Sequence, residues 1–227
     1  GFHETVLPAR GEMLVPRDLS LGRMPEPAIG NAAKTITGMR RCGKTFRLYQ
    51  EALSLLERGV EPSRICYFNF DDDRVRPYEK GIIGRVLELF FELHPHARSQ
   101  GAYVLFDEIQ DVDEWGVTAR RLIDTEKITL LLTGSSSRLL SEDVATEFRG
   151  RSVAYELAPF SLREHARSRG IDLSPVGVSG NKELASHAKR MLLDYLKVGG
   201  FPAAGKLDDL ERAQTLQGYA QLTVARD

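Results

Sequence analysis

The sequence predicts an α/β fold in which a five-stranded parallel sheet lies between layers of helices and a small helical lid follows. Two motifs and one periodicity support this. A glycine-rich pattern occupies residues 38–45, an apolar run at 102–106 ends in two carboxylates, and short apolar segments alternate with helix-type periodicity. Such alternation is typical of parallel sheets, because each crossover between parallel strands usually requires a helix.

The first motif is the segment Gly38 to Thr45, which fits the phosphate-loop pattern G-x-x-x-x-G-K-[ST]. Glycines let the backbone approach phosphate oxygens, and successive N–H groups at a helix N-terminus attract anions. Lys44 adds a positive charge and Thr45 offers a hydroxyl group to Mg²⁺. We therefore predict a nucleotide phosphate site formed by consecutive residues: Gly38, Met39, Arg40, Arg41, Cys42, Gly43, Lys44, Thr45 and Phe46.

The context of this loop agrees with the pattern. A short strand over residues 34–37 leads into it, and apolar residues at helical spacing predict a helix from Lys44 to about Arg58. Gly59 and Pro62 then end that helix.

The second motif is the run from Ala102 to Glu108, a fully apolar strand that ends in two acids. This arrangement suits a central parallel strand whose carboxyl end meets a ligand. We expect Asp107 to hold Mg²⁺ opposite Thr45 and Glu108 to act as the general base that activates water.

The remaining elements follow from the same rules. Apolar segments predict strands at residues 65–70, 128–133 and 152–157, and periodicity predicts helices at residues 78–93, after 115, and at 161–169, 182–198 and 207–224. Ser161 and Glu164 form a capping-box pattern at the start of the 161–169 helix. The acidic triplet at 71–73 is interpreted as a solvated turn rather than a metal site, and His94 and His96 as surface residues.

Composition excludes several classes of protein. A formal net charge of −1 gives no global attraction to nucleic acid or to an anionic membrane. Two cysteines, Cys42 and Cys66, are too few for a disulfide framework, which favours a reducing compartment, and no apolar run approaches the ~20 residues of a membrane span. We expect a cytoplasmic protein that does not enter the membrane.

The organisation predicted along the chain has three parts. Residues 1–31 form a lead-in that wraps over the first strand, residues 32–170 form the core with the two motifs, and residues 171–227 form a linker and a helical lid. The boundary is placed in the loop over residues 170–180, which is rich in serine, glycine and proline.

With both motifs placed, the chain resembles the AAA+ superfamily of P-loop NTPases. Within it, the chain is most similar to prokaryotic ATPases of the archaeal and STAND-like branch, which usually carry an uncharacterised C-terminal domain. The resemblance rests on GMRRCGKT, YVLFDEIQDVDEW, LLLTGSSSRLL, GRSVAYELAPFSLREH and VGGFP, in that order. It implies that the strand ending in Thr133 lies between the phosphate-loop strand and the Asp107 strand. Relatives usually continue beyond Asp227, so we expect a fragment.

The resemblance also implies roles for individual residues. Gly38, Gly43, Lys44 and Thr45 match Walker A, and Asp107 and Glu108 match Walker B. Asn69 resembles the polar residue that restrains the catalytic glutamate, although an asparagine satisfied by backbone is nearly as good an interpretation.

Further roles concern the γ-phosphate and the lid. Thr133 and Ser135 are candidates for the first sensor, and Ser135 or Ser136 can also cap the helix that follows. Arg151 resembles the arginine finger that a neighbouring subunit of a homo-oligomer inserts, with Arg149 as the runner-up and a structural salt bridge as the competing interpretation. Gly200 and Pro202 resemble the lid element that packs on adenine, and a plain helix break also explains them.

We therefore expect Mg²⁺-dependent ATP hydrolysis to ADP and phosphate that drives a conformational change. The alternative is a nucleotide-gated switch or scaffold with negligible turnover. A small-molecule kinase ranks last, because the Asp107-Glu108 pair favours water as the acceptor. The sequence leaves open whether the target is a protein or a nucleic acid.

Overall fold

The computed structural model of the 227-residue chain describes residues 14–135, 148, 150–173 and 182–224. These residues form two compact units. The first contains Leu21–Gly38 and Lys44–Glu156, and the second contains Val15–Ser20, Met39–Gly43 and Leu157–Asp227.

The first unit is a parallel sheet with flanking helices. Its strands are β1 (Ala33–Gly38), β2 (Ile65–Asn69), β3 (Ala102–Asp107), β4 (Ile128–Ser135) and β5 (Ser152–Glu156). The order is β2-β3-β4-β1-β5, and every neighbouring pair is parallel. The predicted five-stranded parallel sheet is therefore confirmed, including the position of the Thr133 strand between the two motif strands.

Burial explains why the central strands read as continuous apolar runs. All residues of β3 are buried, as are those of β4 up to Gly134, because neighbouring strands and helices cover both faces. No residue of the edge strand β5 is fully buried: Ser152 and Tyr155 are half-buried and the other three are exposed, so the alternation expected from its sequence is incomplete.

Among the residues that the structure describes, the first unit contains the helices α1 (Lys44–Glu57), α2 (Ile82–Leu93), α3 (Pro95–Gln100) and α4 (Trp115–Thr125). Helix α2 begins four residues later than predicted, because Gly81 before it has a left-handed backbone. Helix α3 is an element that periodicity missed: it is one and a half turns long, and Pro95 occupies its first position. Phe70 and Phe106 pack edge-to-face at 5.3 Å in the core beneath α2 and α4.

The second unit contains α5 (Leu162–Ser168), α6 (Lys182–Val198) and α7 (Asp209–Val224). The predicted capping box is present, with Ser161 and Glu164 bonded in both directions. Helices α5 and α6 are joined by a bond between His165 Nε2 and Asp194 Oδ2 at 2.9 Å. Because of such contacts α5 belongs to the second unit, so the division falls after Glu156, earlier than the sequence-based boundary at 170/171.

The lead-in divides between the two units. Leu21 and Met24 are buried in the first unit, and Thr129 Oγ1 of β4 donates to the Pro25 carbonyl at 3.0 Å. Residues 15–20 instead belong to the second unit. Among the helices of the described residues, none combines the length and the apolar character needed to cross a membrane.

Candidate nucleotide site

The phosphate-loop pattern forms a tight turn between β1 and α1. Arg41 and Gly43 have positive φ values of 66° and 103°, and Cys42 N–H donates to the Met39 carbonyl at 3.4 Å. A Cβ atom on Gly43 would lie 3.2 Å from Arg17 Nη1, so both the backbone and the space favour glycine there. Lys44 is the first residue of α1, as the pattern requires.

The two acids lie at the carboxyl end of β3. Asp107 is the last residue of that strand and its side chain is fully buried. Glu108 leaves the strand in the left-handed region, with φ 53° and ψ 47°, which is uncommon for a residue other than glycine. Strained backbone of this kind is concentrated at functional sites.

Three hydroxyl groups hold the Asp107 carboxylate. Thr133 Oγ1 donates to Oδ1, Tyr67 OH donates to Oδ2 at 3.3 Å, and the Thr45 hydroxyl also bonds the carboxylate. Burial raises the pKa of Asp107, the nearby Glu108 charge raises it further, and the hydroxyl bonds oppose both effects. Hydroxyl and carboxylate oxygens are the ligands that Mg²⁺ prefers, so Asp107 and Thr45 fit such an ion.

Lys44 joins the two motifs. Its buried Nζ lies 3.3 Å from Glu108 Oε1 and donates to the Gly38 carbonyl at 3.2 Å. The ends of β1 and β3 are separated by β4, so this contact requires side chains that reach across the carboxyl edge of the sheet. The structure thus brings Gly38, Lys44, Thr45, Asp107 and Glu108 together.

Comparison with known proteins identifies the family. Residues 30–166 match the family model described as AAA domain. The chain belongs to this family. It is 31% identical over 92% of its length to the uncharacterized protein MJ1544 of Methanocaldococcus jannaschii and 28% identical over 86% to an uncharacterized protein of Haemophilus influenzae. It covers 44% and 45% of those two proteins, less than half of each.

Two solved structures that are similar to this AAA domain are distant from it in sequence. Caenorhabditis elegans PCH-2 gives a TM-score of 0.46 at 14% identity, over 82% of this chain and 61% of that one. AMPPCP-bound DnaA from Aquifex aeolicus gives 0.40 at 15% identity, over 96% and 68%. At these scores the assignment to the family of P-loop ATPases rests on the family match and on the observed strand order.

Two residues at this site were missed by the sequence reasoning. Tyr67 donates to Asp107, and Gln110 Nε2 donates to Glu108 Oε2 at 3.0 Å. Gln110 lies in the short 3₁₀ turn Ile109–Asp111 directly after the acidic pair. The position of Gln110 two residues after Glu108 was the only sequence signal for a contact between them. That position does not predict its second partner, Ser135 on β4.

The two sensor candidates lie on β4. Thr133 is fully buried, and its Oγ1 accepts a hydrogen bond from Glu108 N–H at 3.0 Å while donating to Asp107. Ser135 is the last residue of β4, and its N–H donates to Gln110 Oε1 at 3.2 Å. Ser136 and Arg149, together with the helix expected around Leu139, lie outside the described residues.

Asn69 has a different contact from the one predicted. It ends β2 in register with Asp107, but its Oδ1 accepts from Asp71 N–H at 2.9 Å, closing a turn within its own segment. The contacts of the Glu108 carboxylate go to Lys44 and Gln110 instead. The competing interpretation, an asparagine satisfied by backbone, describes Asn69 in this structure.

Arg151 lies at the opposite edge of the sheet. It immediately precedes β5, its carbonyl accepts from Ala33 N–H at 2.9 Å, and β5 runs parallel to β1, so Arg151 is at the amino-terminal edge. Its half-exposed guanidinium pairs with the Asp124 carboxylate at the end of α4. Within one chain it is therefore far from Lys44, and action in a neighbouring subunit stays a prediction.

The outer residues of the phosphate loop are exposed or contact another side chain of the protein. Met39 and Phe46 are 40% and 45% exposed, and Arg40 is also exposed. The Arg41 guanidinium lies 4.3 Å from the centre of the Tyr219 ring.

Gly200 has a packing reason of its own, because a Cβ atom there would approach the Phe160 carbonyl to 2.5 Å. Pro202 Cγ would lie 4.0 Å from a Cβ atom on Gly43. The Phe160 carbonyl therefore explains Gly200 without a ligand, and the predicted contact of Gly200 and Pro202 with adenine stays a prediction.

The other candidate ligands form ordinary surface contacts. Asp72 caps its own turn by accepting from Arg74 N–H at 3.0 Å, and Asp71 pairs with Arg76. His96 Nε2 contacts Ser63 Oγ. Over the described part of the chain, no group of three histidine, cysteine or acidic residues is arranged to hold a metal ion.

Proposed function

We propose that this AAA domain binds ATP with Mg²⁺ and hydrolyses it to ADP and phosphate. The contact between Lys44 Nζ and Glu108 Oε1 at 3.3 Å supports the proposal most directly, because it joins the phosphate-binding lysine to the candidate base. Nothing in a purely structural role requires a buried lysine and a strained glutamate to meet at the carboxyl edge of a parallel sheet.

Each side chain has a defined task in this proposal. Lys44 and the loop N–H groups stabilise negative charge on the β- and γ-phosphate oxygens. Thr45 and Asp107 hold the Mg²⁺ ion, which supplies Lewis-acid stabilisation of that charge. Thr133 keeps the two acids in place through its bonds to Asp107 and to Glu108 N–H.

Glu108 accepts a proton from the attacking water. The water oxygen forms a bond to the γ-phosphorus, the bond from that phosphorus to the β–γ bridging oxygen breaks, and ADP leaves with the electron pair. Most of the catalysis of phosphoryl transfer comes from stabilisation of charge on the phosphate oxygens. A strong base is therefore not needed, and a carboxylate is sufficient.

The test compares phosphate release by the full-length protein with that of two variants. Glu108→Gln should lower kcat by about 100-fold or more, since a general base contributes roughly that factor, and ATP should still bind. Glu92→Gln makes the same change at an exposed acid on α2 and should leave kcat unchanged. Equal turnover in Glu108→Gln and wild type would refute the proposal, as would calorimetry that detects no nucleotide binding to folded protein.

A nucleotide-gated switch is the second candidate. One observation favours it: both oxygens of Glu108 already have protein donors, Lys44 on Oε1 and Gln110 on Oε2. A carboxylate held in this way activates water poorly until a partner or a ligand releases it. Tight binding of Mg·ATP with no phosphate release by the wild-type protein would select the switch over the enzyme.

We also propose that Arg151 completes the site of a neighbouring subunit. Arg151→Ala should then lower kcat by about 1000-fold, whereas Asp124→Asn removes the same ion pair but keeps the arginine and should retain activity. Mixing Arg151→Ala with Glu108→Gln should restore turnover, because each subunit supplies what the other lacks. A mixture no more active than its components would refute action in trans.

A further inference from the structure

Gln110 connects the candidate base to the backbone of the sheet. Its side chain is 7% exposed, and both ends of the carboxamide are bonded: Nε2 donates to Glu108 Oε2 at 3.0 Å and Oε1 accepts from Ser135 N–H at 3.2 Å. This orientation is the only one that satisfies both partners. The reversed amide would set an N–H₂ group against the Ser135 N–H and an oxygen against the carboxylate.

The anchor at the far end of this side chain is rigid. Ser135 is the last residue of β4, and its strand neighbour on β1 is Gly38, the first residue of the phosphate loop. Gln110 thus fixes the direction of the Glu108 carboxylate relative to the strand that enters the loop. Asparagine would be shorter by one methylene, about 1.5 Å, and could not span both contacts.

Glu108 depends on such a tether. Its two carboxylate oxygens are shared between Lys44 and Gln110, and its side chain is only 19% exposed. If Lys44 turns its charge toward a phosphate group, as the proposed function requires, Gln110 becomes the contact that still orients Glu108. Its own anchor, a strand N–H, does not depend on Lys44.

We propose that Gln110 is a positioning residue for ATP hydrolysis, which orients the Glu108 carboxylate toward the attacking water. This rests on the proposed function. A side chain that supports a catalytic group in this way typically contributes a factor of about 10–100. A purely structural Gln110 would instead stabilise the 3₁₀ turn and leave the properties of Glu108 unchanged.

Two substitutions separate the two bonds. Gln110→Glu keeps the acceptor for Ser135 N–H, but it removes the donor to Glu108 and sets a second carboxyl group against it. Gln110→Leu removes both bonds without adding a charge, so a loss common to the two variants reports the missing donor. Gln100→Glu makes the same chemical change at an exposed position on α3 and serves as the matched control. In the full-length protein we expect kcat for ATP to fall about 10–100-fold in both Gln110 variants, with KM within about threefold of wild type.

A second measurement reports the contact without turnover. The chain has nine side-chain amides, six from glutamine and three from asparagine, so the Gln110 pair can be assigned in a ¹⁵N spectrum by its loss in Gln110→Glu. We expect this pair to shift in Glu108→Gln and to stay protected from solvent exchange when Mg·ADP is added. If the chemical shifts of the Gln110 amide pair do not change in Glu108→Gln, the inference is overturned.

The outcomes separate the two proposals. Wild-type turnover that depends on Glu108, together with kcat in Gln110→Glu within twofold of wild type, overturns the role of Gln110 alone. Lack of turnover in the wild-type protein overturns the proposed function, and the positioning role with it. A fall in kcat matched by an equal loss of folded protein on thermal melting identifies a structural role and also overturns the inference.

Discussion

Removing the Thr133 hydroxyl tests whether the acidic pair is organised by β4. Thr133→Val preserves the shape of the side chain but deletes an oxygen that donates to Asp107 Oδ1 and accepts from Glu108 N–H at 3.0 Å. Valine cannot replace either bond, and the fully buried site gives water no access to do so.

The expected cost follows from the two partners. A hydrogen bond to a charged group contributes about 1.5–3 kcal/mol, and a buried N–H left without an acceptor costs about 1–3 kcal/mol. Together they predict that Thr133→Val lowers the free energy of unfolding by about 2.5–6 kcal/mol. A domain in the upper half of the typical range of about 5–15 kcal/mol remains folded after such a loss.

The same strand offers a matched control. Thr129 is also fully buried on β4, and its Oγ1 donates to the Pro25 carbonyl and accepts from Asn31 Nδ2, each at 3.0 Å. Both partners of Thr129 are neutral, so Thr129→Val should cost less, about 1–2 kcal/mol.

The assay is urea unfolding followed by circular dichroism, repeated with Mg·ATP. Thr129→Val should keep the stabilisation that nucleotide gives to the wild-type protein, and Thr133→Val should lose most of it. If the two variants cost the same and respond equally to Mg·ATP, the bonds from Thr133 to the acidic pair are not important and the reasoning is refuted.

Three further predictions concern pKa values and buried charge. Burial raises the pKa of Asp107 above its usual value near 3.8, so the folded protein binds more protons than the unfolded chain between those two pKa values, and its stability falls as pH rises through that range. Urea titrations should therefore find Asp107→Asn stabilising by an amount that grows as pH rises above about 3.8; a constant difference would contradict this. Burial raises the pKa of the Cys66 thiol to about 12, so this thiol should resist a thiol-specific chromogenic reagent at pH 8 until urea unfolds the protein. Rapid reaction of Cys66 in the native state would show that the thiol is accessible. Arg17→Ala breaks an ion pair with Glu164 in which both side chains are 5% exposed, so it should lower the free energy of unfolding by about 3–5 kcal/mol. Arg85→Ala removes a surface ion pair and should change the free energy of unfolding by less than about 0.5 kcal/mol. Equal effects of the two arginine substitutions in the same denaturant assay would show that burial of the pair does not matter.

Local signals in the sequence were sufficient for most of the fold. The strand entering Gly38, the helix beginning at Lys44 and the apolar run ending at Asp107 were each predicted to within one or two residues. Such features depend on neighbouring residues in the chain, because apolar periodicity and the fixed spacing of a phosphate loop are short-range properties. Helix α3 was missed because six residues are too few to show a helical period.

The contacts that organise the site depend on tertiary structure. Tyr67 reaches Asp107 across 40 residues of sequence, and Ser135 reaches Gln110 across 25. The first pair follows from the register of the neighbouring strands β2 and β3, and one residue of slip would turn Tyr67 to the other face of the sheet. The second pair requires the 3₁₀ turn after β3 to bring Gln110 to the end of β4.

Sequence by itself therefore determined that a lysine and a threonine begin the helix after the phosphate loop, and that two carboxylates follow another strand of the same parallel sheet. Tertiary structure decided which side chains hold them. In the folded chain Gln110 donates the hydrogen bond to Glu108, and Asn69 accepts one within its own turn. Arg151 lies at the opposite edge of the sheet. The physical reason is that a motif fixes residue types along the chain, whereas a hydrogen bond to a carboxylate needs a donor within about 3 Å, and only the folded arrangement of strands sets that distance.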